Sequence, residues 1–174
     1  MPRVCMSKIA VVLLTLALAA GCGPAGGAGG NGHVSAGQAV QPLDDGGVKI
    51  HITSDDQMRF NIDEFTVRTG QNVRLRLDHI GTMSAHSMGH NVVIVETGED
   101  PVQMGVEIQR EGGSMDNDYV PDAVKDRVIA FTRMLGGGES DTVEFTAPAP
   151  GEYPFFCSFP GHFGVMRGVM TVTE

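Results

Sequence analysis

Short stretches in which apolar and polar residues alternate dominate the chain from Val48 onwards. Val48–Ile52 and Val73–Leu77 have the period of two that is typical of strands with one buried face, whereas Asn91–Val95 is almost continuously apolar, as in a strand buried on both faces. Five further β-like runs are Phe65–Val67, Arg127–Phe131, Thr142–Phe145, Tyr153–Cys157 and Met166–Val172. Turn signals rich in Gly and Pro separate most of these runs. About eight short strands of this kind predict an all-β fold, a Greek-key β-sandwich.

One insertion, residues 98–126, interrupts the strand pattern. Val102–Ile108 has the residues of a short helix, and Pro101 would begin it because proline is favoured in a first helical turn. Gly112–Gly113 would end the helix, and the following Asp116–Asp122 is rich in turn-forming residues. We therefore predict one short helical insertion between strands, part helix and part loop.

The first residues have the pattern of a targeting segment rather than of a folded element. Arg3 and Lys8 supply positive charge, and Ile9–Ala20 is a short apolar run that ends in small residues. Twelve apolar residues are too few to span a bilayer comfortably, because a spanning helix needs about 20. Residues 1–21 are therefore predicted to be a signal peptide, which places the mature protein in the periplasm or at the cell surface.

Cys22 follows this segment in a context that resembles a bacterial lipoprotein signal, in which the cysteine becomes the acylated first residue of the mature chain. An ordinary secreted start is the alternative. Gly23 directly after the cysteine favours the outer membrane. Residues 22–47 are rich in Gly and Ala and are predicted to be a flexible tether with a reach of about 25–30 Å. Residues 48–174 would then form the folded domain.

Charge and cysteine count narrow the chemistry of that domain. The formal net charge is −9, which argues against nucleic-acid binding because basic surface supplies most of the affinity there. Of the three cysteines, Cys5 would leave with the signal and Cys22 would carry lipid, so only Cys157 remains in the domain. A lone cysteine in an oxidising compartment is expected to be reactive or occupied, and a bound metal ion would occupy it.

The stretch Cys157–Met166 places a thiol, an imidazole and a thioether close together, at Cys157, His162 and Met166. Ligands of these types suit copper that moves between its two oxidation states, but a blue-copper site needs a second histidine. His90 is the best candidate among three nearby histidines, since it enters the apolar strand, and a rigid strand end fixes a ligand in place. It precedes Cys157 by 67 positions (157 − 90), so only the fold can close such a site.

Together, Met88-Gly89-His90-Asn91 and Cys157-x4-His162-x3-Met166 resemble the azurins, small blue-copper proteins of the cupredoxin fold. Further matching segments occur in the same order at Asp56–Asn61, Tyr119, Arg127–Ala130 and Phe155–His162. The likeness covers about residues 48–174. It implies a cupredoxin-like Greek-key sandwich that binds one copper ion, Cu(II)/Cu(I), and carries single electrons.

The resemblance also assigns roles to individual residues. It implies equatorial ligands at His90, Cys157 and His162, a weak axial thioether at Met166, and the Gly89 carbonyl on the opposite axial side. Asn91 and Phe159 would supply backbone hydrogen bonds to the Cys157 sulfur, which tune the reduction potential. An electron would leave through an exposed edge of His162. Around it lies the implied apolar docking patch of Met58, Met83, Met88, Phe159, Pro160 and Gly161, although Met58 and Met83 are equally well explained as core residues.

Alternatives stay open on function and partners. The resemblance implies redox partners such as c-type cytochromes or copper/haem reductases, and contact with a membrane through lipidated Cys22. A copper storage or delivery protein is the second hypothesis, and a copper enzyme is disfavoured because one ligand set in one domain provides a single metal centre. The disulfide usual in the family would join the positions of Val48 and Gln71 and is absent, a loss of about 2–4 kcal/mol if nothing compensates.

Overall fold

Two β-sheets packed face to face enclose the main apolar core in the computed structural model, which describes Met1 and residues 39–174. The predicted signal peptide beyond Met1, Cys22 and most of the predicted tether lie outside the described residues. Within residues 39–174, no helix is long and apolar enough to cross a lipid bilayer.

The first sheet consists of β1 (Val40–Pro42), β2 (Val48–Asp55), β3 (Arg59–Phe60), β5 (Asn72–His79) and β8 (Ser140–Thr146). The strand order is β1-β2-β5-β8, with β3 paired to the end of β2. The central pair β2/β5 is parallel and the other pairs are antiparallel. Because β2 and β5 are neighbours but not consecutive, the chain crosses to the other sheet between them.

The second sheet consists of β4 (Glu64–Arg68), β6 (Val93–Val95), β7 (Val128–Phe131), β9 (Gly151–Phe156) and β10 (Arg167–Thr173). The strand order is β4-β10-β9-β6-β7. Strands β4 and β10 are parallel, and the remaining pairs are antiparallel. The predicted all-β sandwich is confirmed, and so is each of the eight predicted strands, with shifts of at most three residues at the ends.

Strand alternation brings polar side chains inward at one end of the sandwich. Every second residue of β2 is buried from Val48 to Ser54, and every second residue of β5 is buried or nearly so up to His79. Ser54 and His79 are register partners at the end of this parallel pair. Both are 1% exposed, so the same pattern that builds the apolar core delivers a buried imidazole to the end of the fold where the site forms.

Strand β6 is buried on both faces, as its continuous apolar sequence predicts, because it separates two apolar clusters. Ile94 contributes to the core between the sheets, whereas Val93 and Val95 face a second cluster that contains helical residues Met104 and Ile108. The amphipathic pattern of the insertion therefore supplies the cover for the outer face of the second sheet.

The predicted helix in the insertion is present. It runs from Pro101 to Arg110, with Asp100 as its N-cap: the Asp100 carboxylate accepts hydrogen bonds from two first-turn N–H groups at 2.9 Å. Two 3₁₀ helices, Met115–Asn117 and Asp122–Arg127, complete the insertion. A helix of four residues that the sequence did not predict, α1 (Ala85–Met88), precedes the site; the longer helix is α2.

The folded domain begins before residue 48, which corrects the predicted tether boundary in the part of the chain that the structure describes. Val40–Pro42 pairs antiparallel with β2, and Ala39 is 1% exposed within the core. The tight turn after β1 is closed by the Leu43 N–H, which donates to the Gly47 carbonyl at 2.9 Å. Backbone pairing and the partly buried Val40 side chain hold this short edge strand, and its Gly- and polar-rich surroundings concealed it.

Candidate metal centre

Three ligating atoms converge at the end of the sandwich: one sulfur and two imidazole nitrogens. The Cys157 Sγ lies 3.7 Å from the Nδ1 of His90 and 3.6 Å from the Nδ1 of His162. All three side chains are buried, with exposures of 0%, 0% and 4% for Cys157, His90 and His162. Among the described residues, this is the group of His, Cys and acidic side chains whose ligating atoms are close enough together to hold a metal ion.

The spacing of these atoms fits a trigonal site. Bonds of about 2.0 Å to nitrogen and 2.3 Å to sulfur, the lengths found with zinc, span about 3.7 Å at an angle of 120° and about 3.5 Å at the tetrahedral angle. The observed 3.7 Å to His90 matches the trigonal value, and the 3.6 Å to His162 lies midway between the two values. A trigonal His₂Cys set with a weak axial group is the donor arrangement of blue copper. The residues present therefore fit copper.

His90 is fixed by its backbone and by its second ring nitrogen. It forms a β-bridge with Leu135: the His90 N–H donates to the Leu135 carbonyl at 3.0 Å, and the Leu135 N–H donates back at 2.8 Å. The His90 Nε2 lies 2.8 Å from the Asp55 carbonyl oxygen. As the carbonyl can only accept, Nε2 carries the proton, and Nδ1 faces Cys157 with a free lone pair.

The other ligating atoms lie on the loop from Cys157 to Met166, which closes on itself. The Cys157 N–H donates to the Met166 carbonyl at 3.0 Å, and the Met166 N–H donates to the His162 carbonyl at 2.9 Å. Gly161 has φ +83°, a conformation that favours glycine and lets the chain turn directly before His162. Met166 is 1% exposed, and the Gly89 carbonyl oxygen lies 3.7 Å from the Cys157 Sγ.

The buried Asn91 side chain ties the two parts of the site together. Its Oδ1 accepts from the Ser158 N–H at 2.9 Å, and its Nδ2 donates to the Ser158 Oγ at 2.8 Å and to the Asp118 carbonyl at 2.8 Å. Asp118 in turn accepts from the Met134 N–H at 2.7 Å through its carboxylate. The strand entry that carries His90 and the loop that carries Cys157 are thus locked by direct hydrogen bonds.

Burial keeps all three candidate ligands neutral. It raises the pKa of the Cys157 thiol to about 12, although the backbone N–H groups of Asn91 and Phe159 act in the opposite direction. It lowers the pKa of both His90 and His162 to about 4. At neutral pH both imidazoles can accept a metal without losing a proton, whereas the thiol must release one when a metal binds.

A family model described as copper binding proteins of the plastocyanin/azurin family matches residues 47–173. The chain belongs to this family. Azurin-2 of Alcaligenes xylosoxydans xylosoxydans is 39% identical over 123 residues, which cover 68% of this chain and 92% of the relative. Azurin of Achromobacter denitrificans is 38% identical over 127 residues, or 71% and 83% of the two chains.

Solved structures agree with the sequence relatives. Reduced auracyanin of Roseiflexus castenholzii superposes with a TM-score of 0.63 at 40% identity, over 72% of this chain and 97% of that one. The azurin iso-2 of Methylomonas sp. strain J gives a TM-score of 0.64 at 34% identity, over 72% and 98% of the two chains. The predicted azurin resemblance and cupredoxin-like fold are confirmed, and the chain is a blue copper electron-transfer protein.

Of the two histidines that lie near His90 in sequence, His79 and His86, only His79 takes part in the site, as a support behind His90. The rings of His162, His90 and His79 stack in series, with centroid separations of 4.9 and 4.6 Å. The His79 Nε2 lies 2.9 Å from the Met88 carbonyl oxygen, and Nδ1 accepts from the Gly81 N–H at 3.1 Å. His79 is therefore a packed, hydrogen-bonded residue, and His86 is an exposed residue of α1.

The predicted docking patch is a mixture of exposed and half-buried residues. Met58 is 37% exposed and Met83 is 40% exposed, which rules out their being core residues. Met88 and Phe159 are half-buried, and Pro160 and Gly161 are exposed. His162 is only 4% exposed, so the expected exposed edge of this imidazole is far smaller than the azurin resemblance implied.

Several supporting residues escaped the sequence reasoning. Ile80 and Val165 are each 66% exposed, with Val165 directly before Met166, and Ser158 and Asp118 join the Asn91 network. His79 had a detectable signal, because it continues the inward phase of β5 after three buried apolar residues. Ser158 had none, because its partner Asn91 lies 67 positions away in sequence.

Proposed function

We propose that His90, Cys157 and His162 hold one copper ion in a one-electron carrier of the cell envelope, with the Met166 thioether and the Gly89 carbonyl as weak axial groups. The observation that carries the proposal is the convergence of two buried imidazole nitrogens on one buried thiol sulfur at 3.6–3.7 Å. Bound copper would supply the Cu(II)/Cu(I) couple, which accepts one electron from a reduced partner and returns it to an oxidised one.

The residues of this chain restrict how far the site can rearrange. The His90 Nε2–H donates to the Asp55 carbonyl, and this hydrogen bond keeps Nδ1 directed at the Cys157 sulfur. The Asn91–Ser158 hydrogen bonds keep the cysteine loop against the His90 strand. The copper geometries of the two oxidation states differ, so a scaffold that moves little keeps the cost of electron transfer low.

Backbone donors and solvent exclusion would tune the potential of this couple. The N–H groups of Asn91 and Phe159 point at the Cys157 sulfur and favour its thiolate form. Cys157 and Met166 are 0% and 1% exposed, so solvent does not reach either sulfur. Hydrogen bonding at sulfur and burial are both recognised controls on the potential of a metal site.

Electrons would pass through the end of the fold at His162. Exposed Met58 and Met83, with Pro160 and Gly161, provide an apolar surface on which a redox protein could dock, and methionine adapts well to different partners. Suitable partners are c-type cytochromes or copper/haem reductases. The protein's net charge of −9 favours partners with a basic docking face.

Export and membrane attachment belong to the same proposal. Residues 1–21 would be removed as a signal peptide and Cys22 would carry lipid, with the outer membrane as the favoured site. Expression of the full chain with a radiolabelled fatty acid should label the native protein and leave the Cys22→Ala variant unlabelled and in the soluble fraction. Equal labelling of both proteins would contradict the anchor, and it would leave the copper assignment untouched.

Spectroscopy of the copper-loaded domain tests the metal assignment. The native protein should bind one copper per chain, show an intense blue band when oxidised and lose it on reduction. Cys157→Ser should bind copper without that band, whereas the Ser158→Ala control, which keeps the thiol, should remain blue. A Cys157→Ser protein as blue as the native one would overturn the assignment. Rapid transfer of copper to a chelator with no blue band would favour a storage or delivery protein.

A further inference from the structure

Phe163, the residue after the candidate ligand His162, makes a contact that the metal site itself does not require. Its side chain leaves the ligand loop and packs, half-buried, against the second apolar cluster, which joins the outer face of the second sheet to helix α2. The other side chains of that cluster lie on strands and on the insertion; Phe163 connects the cluster to the ligand loop.

The helix accommodates this ring at one position. Gly105 is buried in the middle of α2, and a Cβ placed on it would overlap the ring atoms of Phe163. A glycine inside a helix costs about 1 kcal/mol relative to alanine, so the position carries a local penalty. Close approach of an aromatic ring explains why the smallest residue occupies it.

Aromatic residues with packing contacts lie on both sides of His162 in the sequence, at Phe159 and Phe163. On the N-terminal side the Phe159 ring lies 4.7 Å from the His162 ring, between centroids, and the Phe159 carbonyl accepts from the His162 N–H at 3.0 Å. On the C-terminal side the neighbouring residue is Phe163, whose ring is trapped against Gly105. Phe159 therefore contacts the imidazole directly, and Phe163 anchors the backbone directly after it.

We propose that Phe163 and Gly105 form a positioning pair, in which helix α2 clamps the ligand loop and limits movement of the His162 imidazole during electron transfer. The proposal rests on the copper-carrier function proposed above. Phe163 acts through His162 and does not itself contact the metal. It gives the helical insertion a purpose in electron transfer beyond covering the sheet.

Two measurements on Phe163→Ala test the clamp. In the metal-free protein, the His162 and Met166 amide hydrogens, both bonded within the ligand loop, should exchange with solvent at least about tenfold faster, with β2 and β5 unchanged. In the copper protein, electron self-exchange between oxidised and reduced copies should slow by about tenfold or more, since small misplacements of reacting groups carry costs of this size. Phe163→Leu, which retains an apolar side chain, provides the same test if the alanine variant folds poorly.

A matched control separates positioning from stability. Ile108 is 0% exposed in the same cluster, on the same helix. Ile108→Ala should lower the unfolding midpoint as much as Phe163→Ala does, yet leave self-exchange and the two loop amides unchanged. If both variants lower the midpoint and neither alters the loop amides or self-exchange, Phe163 is only a packing residue and the proposal fails.

The pair makes a second, independent prediction through non-additivity. Gly105→Ala alone should displace the Phe163 ring and reproduce the loss of amide protection. The double variant Gly105→Ala/Phe163→Ala should be no worse than Phe163→Ala, because the ring that the new methyl group would strike is gone. Effects that simply add would contradict direct coupling.

Failure of the carrier function can be told apart from failure of the clamp. Absence of a blue band in the native protein would contradict the carrier function, and amide exchange in the metal-free protein would still test the clamp.

Discussion

Replacing Asn91 by alanine should be among the most damaging single substitutions away from the ligands. Asn91 and Ser158 are both 0% exposed. Three hydrogen bonds join the Asn91 side chain to the N–H and hydroxyl of Ser158. Alanine would leave the Ser158 N–H and hydroxyl buried without partners, and would remove one donor from the half-buried Asp118 carbonyl. Each buried unsatisfied group costs about 1–3 kcal/mol, so the expected loss is about 3–5 kcal/mol, a large part of a typical total of about 5–15 kcal/mol.

Urea unfolding of the metal-free protein measures this loss directly, with the free energy extrapolated to water and an unchanged m-value expected. Ser158→Ala is the graded comparison: Asn91 keeps its bonds to the Ser158 N–H and the Asp118 carbonyl, so about 1 kcal/mol is expected. Asn72→Ala, at an exposed strand position, should change stability by less than about 0.5 kcal/mol. A loss below about 1 kcal/mol for Asn91→Ala would refute the inference that these hydrogen bonds have no substitute.

Two further predictions concern the metal-free protein. The pKa values of His90 and His162 are about 4 in the folded protein and about 6.5 in the unfolded chain, so the unfolded state binds more protons between pH 4 and pH 6.5. The free energy of unfolding should therefore fall by roughly 3–6 kcal/mol from pH 6.5 to pH 4. An unfolding free energy that does not change over this pH range would contradict the prediction. Asp100→Ala should cost about 1 kcal/mol by removing the cap of α2, whereas Gln103→Ala, which leaves both capped N–H groups in place, should cost less; equal losses would argue against capping.

The candidate ligands could be found from the sequence because their signals are local. Cys157, His162 and Met166 lie in one loop of ten residues, and His90 stands directly before a continuously apolar strand. Strand alternation likewise requires no knowledge of distant contacts, which is why all eight predicted strands were found. The α2 helix was predictable from its own Pro and Gly boundaries, and Asp100, directly before Pro101, is a further local signal for its N-cap.

Elements too short to show an apolar period could not be found in this way. Strand β1 has three residues, of which one is half-buried and two are exposed, so no apolar period marks it. Strand β3 has two residues, and α1 has no buried residue. The position of Tyr119 depends on two successive left-handed residues, Asp118 at φ +52° and Tyr119 at φ +54°, which non-glycine residues seldom adopt.

The disulfide that the azurin resemblance implies at the positions of Val48 and Gln71 has no cysteines here, and a side-chain amide makes bonds at one of those positions instead. Gln71, at one of the two positions concerned, accepts from the Arg68 N–H at 3.1 Å and donates to the Gly46 carbonyl at 3.2 Å. This amide bridges the turn before β2 and the turn before β5. Hydrogen bonds contribute about 0.5–1.5 kcal/mol each, so these two bonds together would offset about 1–3 kcal/mol against the roughly 2–4 kcal/mol that a disulfide would supply.

Protonation states explain how such a site can be assembled before copper is bound. Two imidazolium ions with ring centroids 4.9 Å apart would repel each other in a buried pocket, but burial keeps both His90 and His162 uncharged at neutral pH. A thiolate would suffer the same penalty, and the Cys157 thiol stays protonated with a pKa of about 12. Neutral groups can pack at ligand distances without a counter-charge. Copper binding then needs to displace a single proton, from Cys157, and the surrounding hydrogen bonds can stay as they are.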